Sequence, residues 1–218
     1  FAGQIFFDFA GYSTCAIGVA LCLGFILPEN FKYPYAAVGF SDFWQRWHIT
    51  LSAWLRDYLY IPLGGNRQGQ LKTYINLMVT MLLGGLWHGA NWTFVVWGGL
   101  HGFYLWVEKF IRDKFSKRNI PTDQDVAVAG ITGGNTSLAF IYALFTFFLI
   151  NVTWVFFRAP TFAQAWMMLT SMFGMSGDVE PELTTLAIIK VSVIISLMVI
   201  AHWRMRKSSV LQLAQKIP

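Results

Sequence analysis

The sequence predicts an all-α, polytopic membrane protein, and three observations carry that prediction. Only 12% of the 218 residues are charged, about half of the ~25% carried by a soluble domain. Apolar runs of bilayer-crossing length recur along the chain, and the mean hydropathy is +0.49. Between them lies one segment too charged for lipid and too aromatic for water. This composition excludes a disordered chain and an ordinary cytosolic enzyme. The net charge of +5 is small and dispersed, which excludes nucleic acid as a partner.

Taken in order, Phe9 to Leu27 reads as the first span, with Asp8 at its mouth and Pro28-Glu29-Asn30 ending it. Phe31 to Gly39 reads as a loop. Ser41 to Gly65 reads as one helix, capped by Ser41 with Asp42 beside the dipole and ended by Pro62 and Gly64-Gly65. It mixes Trp44, Trp47, Trp54, Tyr58 and Tyr60 with Asp42, Arg46, His48, Arg56 and Asp57. Such a helix lies at the interface, or dips into the protein and returns. On it, His48, Ser52, Leu55 and Leu59 would share a face.

Thr73 to Trp87 and Trp92 to Ile111 are the next apolar runs. Gly84-Gly85 should loosen the first, and Gly98-Gly99 should admit a close neighbour or a ligand. A basic stretch follows from Lys109 to about Ser137, with a turn at Gly133-Gly134-Asn135. Leu138 to Phe157 is a clear span, stopped by Arg158-Ala159-Pro160. Thr161 to Met175 reads as a surface helix, Gly177 to Glu182 as an acidic turn, and Thr185 to Trp203 as the last span, followed by a basic tail from Arg204. Residues 1–218 read as one membrane domain without repeats. The opening at Phe1 shows no signal-peptide pattern, and earlier spans are expected before it.

Charge fixes an orientation. Arg67, Lys72, Lys109, Arg112, Lys114, Lys117, Arg118, Arg204, Arg206 and Lys207 fall in alternate connections, and Asp178, Glu180 and Glu182 in another. With the basic side cytoplasmic, five spans alternate, the segment Ser41–Tyr60 is cytoplasmic, and Trp87–Asn91 lies toward the outer side or partway in. Cys15 and Cys22 stand too far apart on a helix for a disulfide.

Four histidines are candidates for chemistry, since an ionisable group in a span is costly. His202, beside Trp203 and Arg204, reads as an interfacial anchor, and His101 as a packing residue. His48 reads as an interfacial histidine. For His88 two readings stand: a structural histidine, or a neutral imidazole in a cavity, ready to act as a base. The histidines lack the i,i+4 pairing of a metal site, so no metal is expected. Asp57, beside Arg56, has no second carboxylate for paired acid–base work.

Longer motifs sharpen this. Phe7-Asp8-Phe9-Ala10-Gly11-Tyr12-Ser13 precedes Leu27-Pro28-Glu29-Asn30-Phe31. Phe43-Trp44-Gln45-Arg46-Trp47-His48-Ile49-Thr50-Leu51-Ser52 continues into Trp54-Leu55-Arg56-Asp57-Tyr58 and Pro62-Leu63-Gly64-Gly65. Gly85-Leu86-Trp87-His88-Gly89-Ala90 leads to Trp97-Gly98-Gly99-Leu100-His101-Gly102, and Asn151 to Ala159 follows. In this order they resemble the membrane-bound O-acyltransferase superfamily, in its bacterial alginate O-acetyltransferase-like branch, over about the C-terminal half of such a protein. The resemblance implies transmembrane helices around a central tunnel, with interfacial or re-entrant helices. It implies His88 as the catalytic histidine and His48 as a second functional group near the donor.

It further implies a bacterial inner-membrane enzyme moving an acetyl group from a cytoplasmic thioester, such as acetyl-CoA or an acyl carrier thioester, with no bound cofactor. The acceptor would be a hydroxyl of an extracytoplasmic polysaccharide such as alginate, reached directly or through a periplasmic acetyltransferase partner. Membrane lipid is the remaining partner. His88 would be the general base, with Arg46, His48 and Arg56 guiding the donor and Asn91 or amides near Gly84–Gly89 serving the oxyanion. The competing readings are a transporter of a lipid- or sugar-linked intermediate, which also uses broken helices, and a scaffold, which would not need His48, Arg56, Asp57 and His88 near the membrane.

Overall fold

A computed structural model describes residues 1–115, 135–175 and 184–208. Among these the regular structure is helical, apart from one antiparallel bridge between Phe31 and Trp47. The helices are α1 (Ala2–Cys22), α2 (Phe40–Trp44), α3 (Ile49–Leu55), α4 (Gln70–His88), α5 (Trp92–Phe115), α6 (Thr136–Arg158), α7 (Phe162–Met172) and α8 (Thr185–Met205). A 3₁₀ turn occupies Pro34–Ala36, and a π-helical turn, Arg56–Tyr60, extends α3. Lys117, Arg118, Gly133-Gly134, the acidic turn Gly177–Glu182 and the chain after Ser208 lie outside the described residues.

Helices α1, α6 and α8 are each long and apolar enough to cross a membrane. The first differs from the sequence expectation at both ends. It starts at Ala2, which places Asp8 inside the helix, and it stops at Cys22. Gly24, in the left-handed region at φ +83°, is the reason. Its N–H bonds the Leu21 carbonyl and the Phe25 N–H bonds that of Ala20, the paired closure that a glycine just past a helix end makes cheap.

Helices α4 and α5 form the tightest pair. A Cβ at Gly85 would fall 2.3 Å from the Phe94 carbonyl oxygen, and one at Gly98 2.3 Å from that of Met81. Glycine lets the two backbones touch. Gly84-Gly85 therefore do not loosen α4, which runs unbroken to His88. One face of α4 buries Thr73, Asn76 and Thr80. The Asn76 amide donates to the Gly65 carbonyl at 3.0 Å, tying α4 to the preceding turn.

The single helix expected over Ser41–Gly65 is a re-entrant hairpin. Phe40 and Ser41 meet Glu108 of α5. Further in, Trp44 packs on Trp97 and His101. At the tip His48 faces Trp87. The return strand of the hairpin, α3, brings Leu55 against Gly84, and Tyr60 ends near Lys109 and Arg112. His48 breaks the helix with φ +45°, a left-handed conformation costing about 1–2 kcal/mol in a non-glycine residue. The bridge beneath it, with Lys32 N–H to Arg46 at 2.9 Å and Ile49 N–H to Asn30 at 3.1 Å, holds the bend. The shared face of His48, Ser52, Leu55 and Leu59 is lost with the regular helix.

The segment read as a plain loop is the innermost backbone. Pro34 to Phe40 are all buried, and each buried N–H needs a partner where water is absent. Neighbouring elements supply them. His202 of α8 accepts from Tyr35 N–H through Nδ1 at 3.3 Å, and Tyr35 Oη donates to the Ala2 carbonyl at 2.6 Å. Asp42 accepts from Val38 N–H at 2.9 Å and Thr146 of α6 from Gly39 N–H at 3.1 Å. Glu108 takes both Phe40 and Ser41 N–H groups, so it, and not Ser41, caps α2. His202 is thus a buried clamp, not an interfacial anchor.

Asp42, 5% exposed, also holds Arg46 at 2.6 Å and Arg206 at 2.8 Å. Arg46 adds the Lys32 and Arg206 carbonyls. Arg46 is therefore committed to the fold and is not a donor guide.

Candidate active site

His88 is the last residue of α4 because Gly89 leaves the helix in an extended conformation. A Cβ at Gly89 would fall 2.7 Å from the Phe94 ring, so this glycine lets α5 begin close by. Asn91 fixes the turn. Its Oδ1 accepts from Thr93 N–H at 3.1 Å and its amide donates to the Pro160 carbonyl at 2.9 Å. Asn91 Oδ1 is thus taken by the helix start, while its amide, with one N–H on Pro160, keeps a second N–H.

The His88 ring is half-buried in an aromatic box. Trp87, Trp97 and Phe157 meet it edge-on at 5.0 Å, and Phe94 lies tilted at 6.2 Å. Neither ring nitrogen has a hydrogen-bond partner among the described residues. The imidazole is fixed by packing and chemically unengaged.

His48 is engaged on one side only. Its Nδ1 lies 3.2 Å from Asn30 Oδ1. That oxygen also receives Thr50 N–H at 3.3 Å and Thr50 Oγ1 at 3.0 Å. A backbone N–H can only donate, so the atom facing it is the amide oxygen. His48 must then donate from Nδ1, which leaves Nε2 as its second face. Trp87 joins the two histidines, its ring 6.4 Å from His48 and 5.0 Å from His88. The two residues named from the sequence are therefore brought to one indole from separate elements.

Behind them sits a partition that sequence reasoning missed. Trp97 touches His88, and Trp44 touches Trp97 at 5.9 Å. His101, 0% exposed, packs at 4.8 Å on Trp97 and 5.1 Å on Trp44. Thr153 gives its hydroxyl proton to the Ile150 carbonyl, so its oxygen accepts from His101 Nε2 at 3.1 Å. His101 is the packing residue its motif suggested. Trp44 Nε1, Trp97 Nε1 and His101 Nδ1 are buried without a partner among the described residues. The Trp-rich spacing was the available signal; that three rings would meet was not.

On the far side of Trp44 a cavity of about 530 Å³ runs between the hairpin, α4 and α5, walled by Leu55, Leu77, Met81 and Leu105. Its lining includes Arg56 but neither His48 nor His88. Arg56, 62% exposed, pairs with Asp57 at 2.7 Å. Hydrogen bonding from that guanidinium holds the Asp57 carboxyl below its usual range. This pair stands at the surface and is not packed into the helical interior.

The sequence model of the membrane-bound O-acyltransferase family matches residues 1–132. The chain belongs to that family. With its three apolar helices, it is a multi-pass membrane protein. It is 42% identical over 212 residues to the "Probable alginate O-acetylase AlgI" of Azotobacter vinelandii, covering 95% of this chain and 38% of the relative. It is 44% identical to the "Peptidoglycan O-acetyltransferase" of Helicobacter pylori, over 80% of this chain and 30% of that protein. The "Teichoic acid D-alanyltransferase" of Streptococcus thermophilus is 33% identical over 59% of this chain and 32% of its own length. The chain thus spans about a third of the length of these relatives.

Proposed function

We propose that this chain carries the reacting centre of a bacterial inner-membrane O-acyltransferase, with His88 as general base and His48 as its partner on the donor side. The donor is a cytoplasmic thioester, acetyl-CoA or an acyl carrier thioester. The acceptor is a hydroxyl of an extracytoplasmic polysaccharide such as alginate, reached directly or through a periplasmic acetyltransferase partner. His88 takes the hydroxyl proton as the oxygen attacks the thioester carbonyl. The C–S bond then breaks, and the proton passes to the departing thiolate. A base so placed contributes roughly 10²–10⁴ in rate.

One observation carries the reading: His88 is packed edge-on among Trp87, Trp97 and Phe157, with neither ring nitrogen partnered among the described residues. A purely structural buried histidine is hydrogen-bonded, as His101 and His202 are. The relatives' names support acyl transfer to cell-surface polymers. The test is to replace His88 by Ala in the full-length protein, confirm insertion, and measure acetyl content of the surface glycan by mass analysis. Undiminished acetylation ends the proposal.

A further inference from the structure

Acyl transfer needs more than a base. As the hydroxyl attacks, the thioester carbonyl oxygen gathers negative charge, and a hydrogen-bond donor must meet it there. Few N–H groups around His88 are open to that task. The backbone amides from Gly84 to His88 lie within α4, and those of Gly89 and Asn91 bond the Leu86 and Gly89 carbonyls at 3.2 and 2.9 Å. His48 gives its Nδ1 proton to Asn30, so the neutral ring has only a lone pair to offer at Nε2. Trp87 is 61% exposed, and the spare amide N–H of Asn91 sits on an exposed turn. A donor in water is worth far less than one kept dry.

Trp97 is the dry one. Its ring meets His88 edge-on at 5.0 Å, it is 2% exposed, and its Nε1 is buried without a partner among the described residues. Buried N–H groups are normally paired, so an unpaired one needs a reason. The indole is also braced. His101 packs on it at 4.8 Å, Phe157 at 5.4 Å, Trp44 at 5.9 Å and Trp154 at 6.1 Å. His101 is itself tied to Thr153. The next residue, Gly98, touches the backbone of α4, which fixes the indole against the helix that carries His88. The unpaired His101 Nδ1 is a lone pair, because that ring's proton is on Nε2, and it cannot hold an anion.

Resting on the acyl-transfer reading above, we propose that Trp97 is a catalytic residue whose indole N–H holds the oxyanion. The hydroxyl oxygen bonds the carbonyl carbon, and the C=O π pair moves onto the carbonyl oxygen, which accepts from Trp97 Nε1–H. That pair re-forms the carbonyl as the C–S bond breaks. The indole proton stays on nitrogen throughout. The N–H is covered at rest and is met when the entering substrate parts the His88 and Trp97 rings, so water is kept from it until then.

Site-specific replacement of Trp97 by benzothienylalanine in the full-length protein tests this, since sulfur takes the place of N–H in a ring of nearly the same shape. A ring-fluorinated tryptophan, which keeps the N–H, is the control. Two quantities are read: the rate of acetyl incorporation into surface glycan by cells at matched protein levels, and the melting temperature of the purified protein. The benzothienyl form should lose roughly 10²–10³ in rate at an unchanged melting temperature, and the fluorinated form should keep the native rate. The same exchange at Trp87 should leave the rate near native. A benzothienyl form that keeps its rate overturns the proposal. So does a loss shared by the fluorinated form, accompanied by a fallen melting temperature, or following Trp87 instead. His88→Ala with undiminished acetylation removes the base reading alone, and a loss confined to the benzothienyl form at Trp97 then still assigns the oxyanion donor.

Discussion

Two stretches of polar backbone enter the apolar interior of this protein, and they end differently. Between Pro34 and Phe40 the N–H groups of Tyr35, Val38, Gly39 and Phe40 are met by the side chains of His202, Asp42, Thr146 and Glu108, and those of Ala36 and Ala37 by the carbonyls of Tyr33 and Pro34. Around His48 and His88, a few residues away in space, imidazole nitrogens are left open. Both regions are rich in histidine and aromatics. What sets His88 apart is that neither ring nitrogen has a partner among the described residues, whereas His101 and His202 each hold a hydrogen bond that ties them to the fold.

Substitutions can break this contrast. The largest effect should come from His88→Ala, which should lower acyl transfer by roughly 10²–10⁴ while the melting temperature of the detergent-solubilised protein stays put. Asp42→Ala should do the reverse. It strands Arg46 and Arg206 without a carboxylate, and losing one partner of a buried pair costs about 3–5 kcal/mol. Yield and thermal stability should collapse, while whatever folds should turn over normally.

Smaller effects sharpen the boundary. Gly85→Ala should destabilise by about 1–3 kcal/mol, an overpacking cost, because its Cβ would strike the Phe94 carbonyl; a denaturation midpoint measures it. Asn30→Ala removes the acceptor that orients His48, worth about 0.5–1.5 kcal/mol, or up to about tenfold in rate. It should lower kcat more than stability, and an equal loss in both would place Asn30 with the structural group. Smallest is Arg56→Ala: its pair with Asp57 is exposed and packs no neighbour, so the melting temperature should match the native protein's.

Much of this molecule was legible from apolar run length alone. The spans that became α6 and α8 were placed within a residue or two, because a long apolar run flanked by polar residues leaves the backbone one option in lipid. His88 and His48 were legible because their motifs are long. Their environments were not. Ser41–Gly65 was read as one helix because nothing local announces that His48 adopts a positive φ; the bend depends on a bridge to Asn30–Lys32. His202 was misjudged because its partner, the Tyr35 N–H, is remote in sequence.

The sequence by itself determined that the chain is helical, that it lives in a membrane, and which two histidines merit attention. These follow from local quantities: apolar run length, charge and motif. Only the tertiary structure decided that Phe31–Gly39 is an inner plug, that Arg46 is structural, and that Trp44 and Trp97 divide the cavity from His88. Hydrogen-bond partners for buried polar groups come from whichever helices pack nearby, and no local window of sequence contains them.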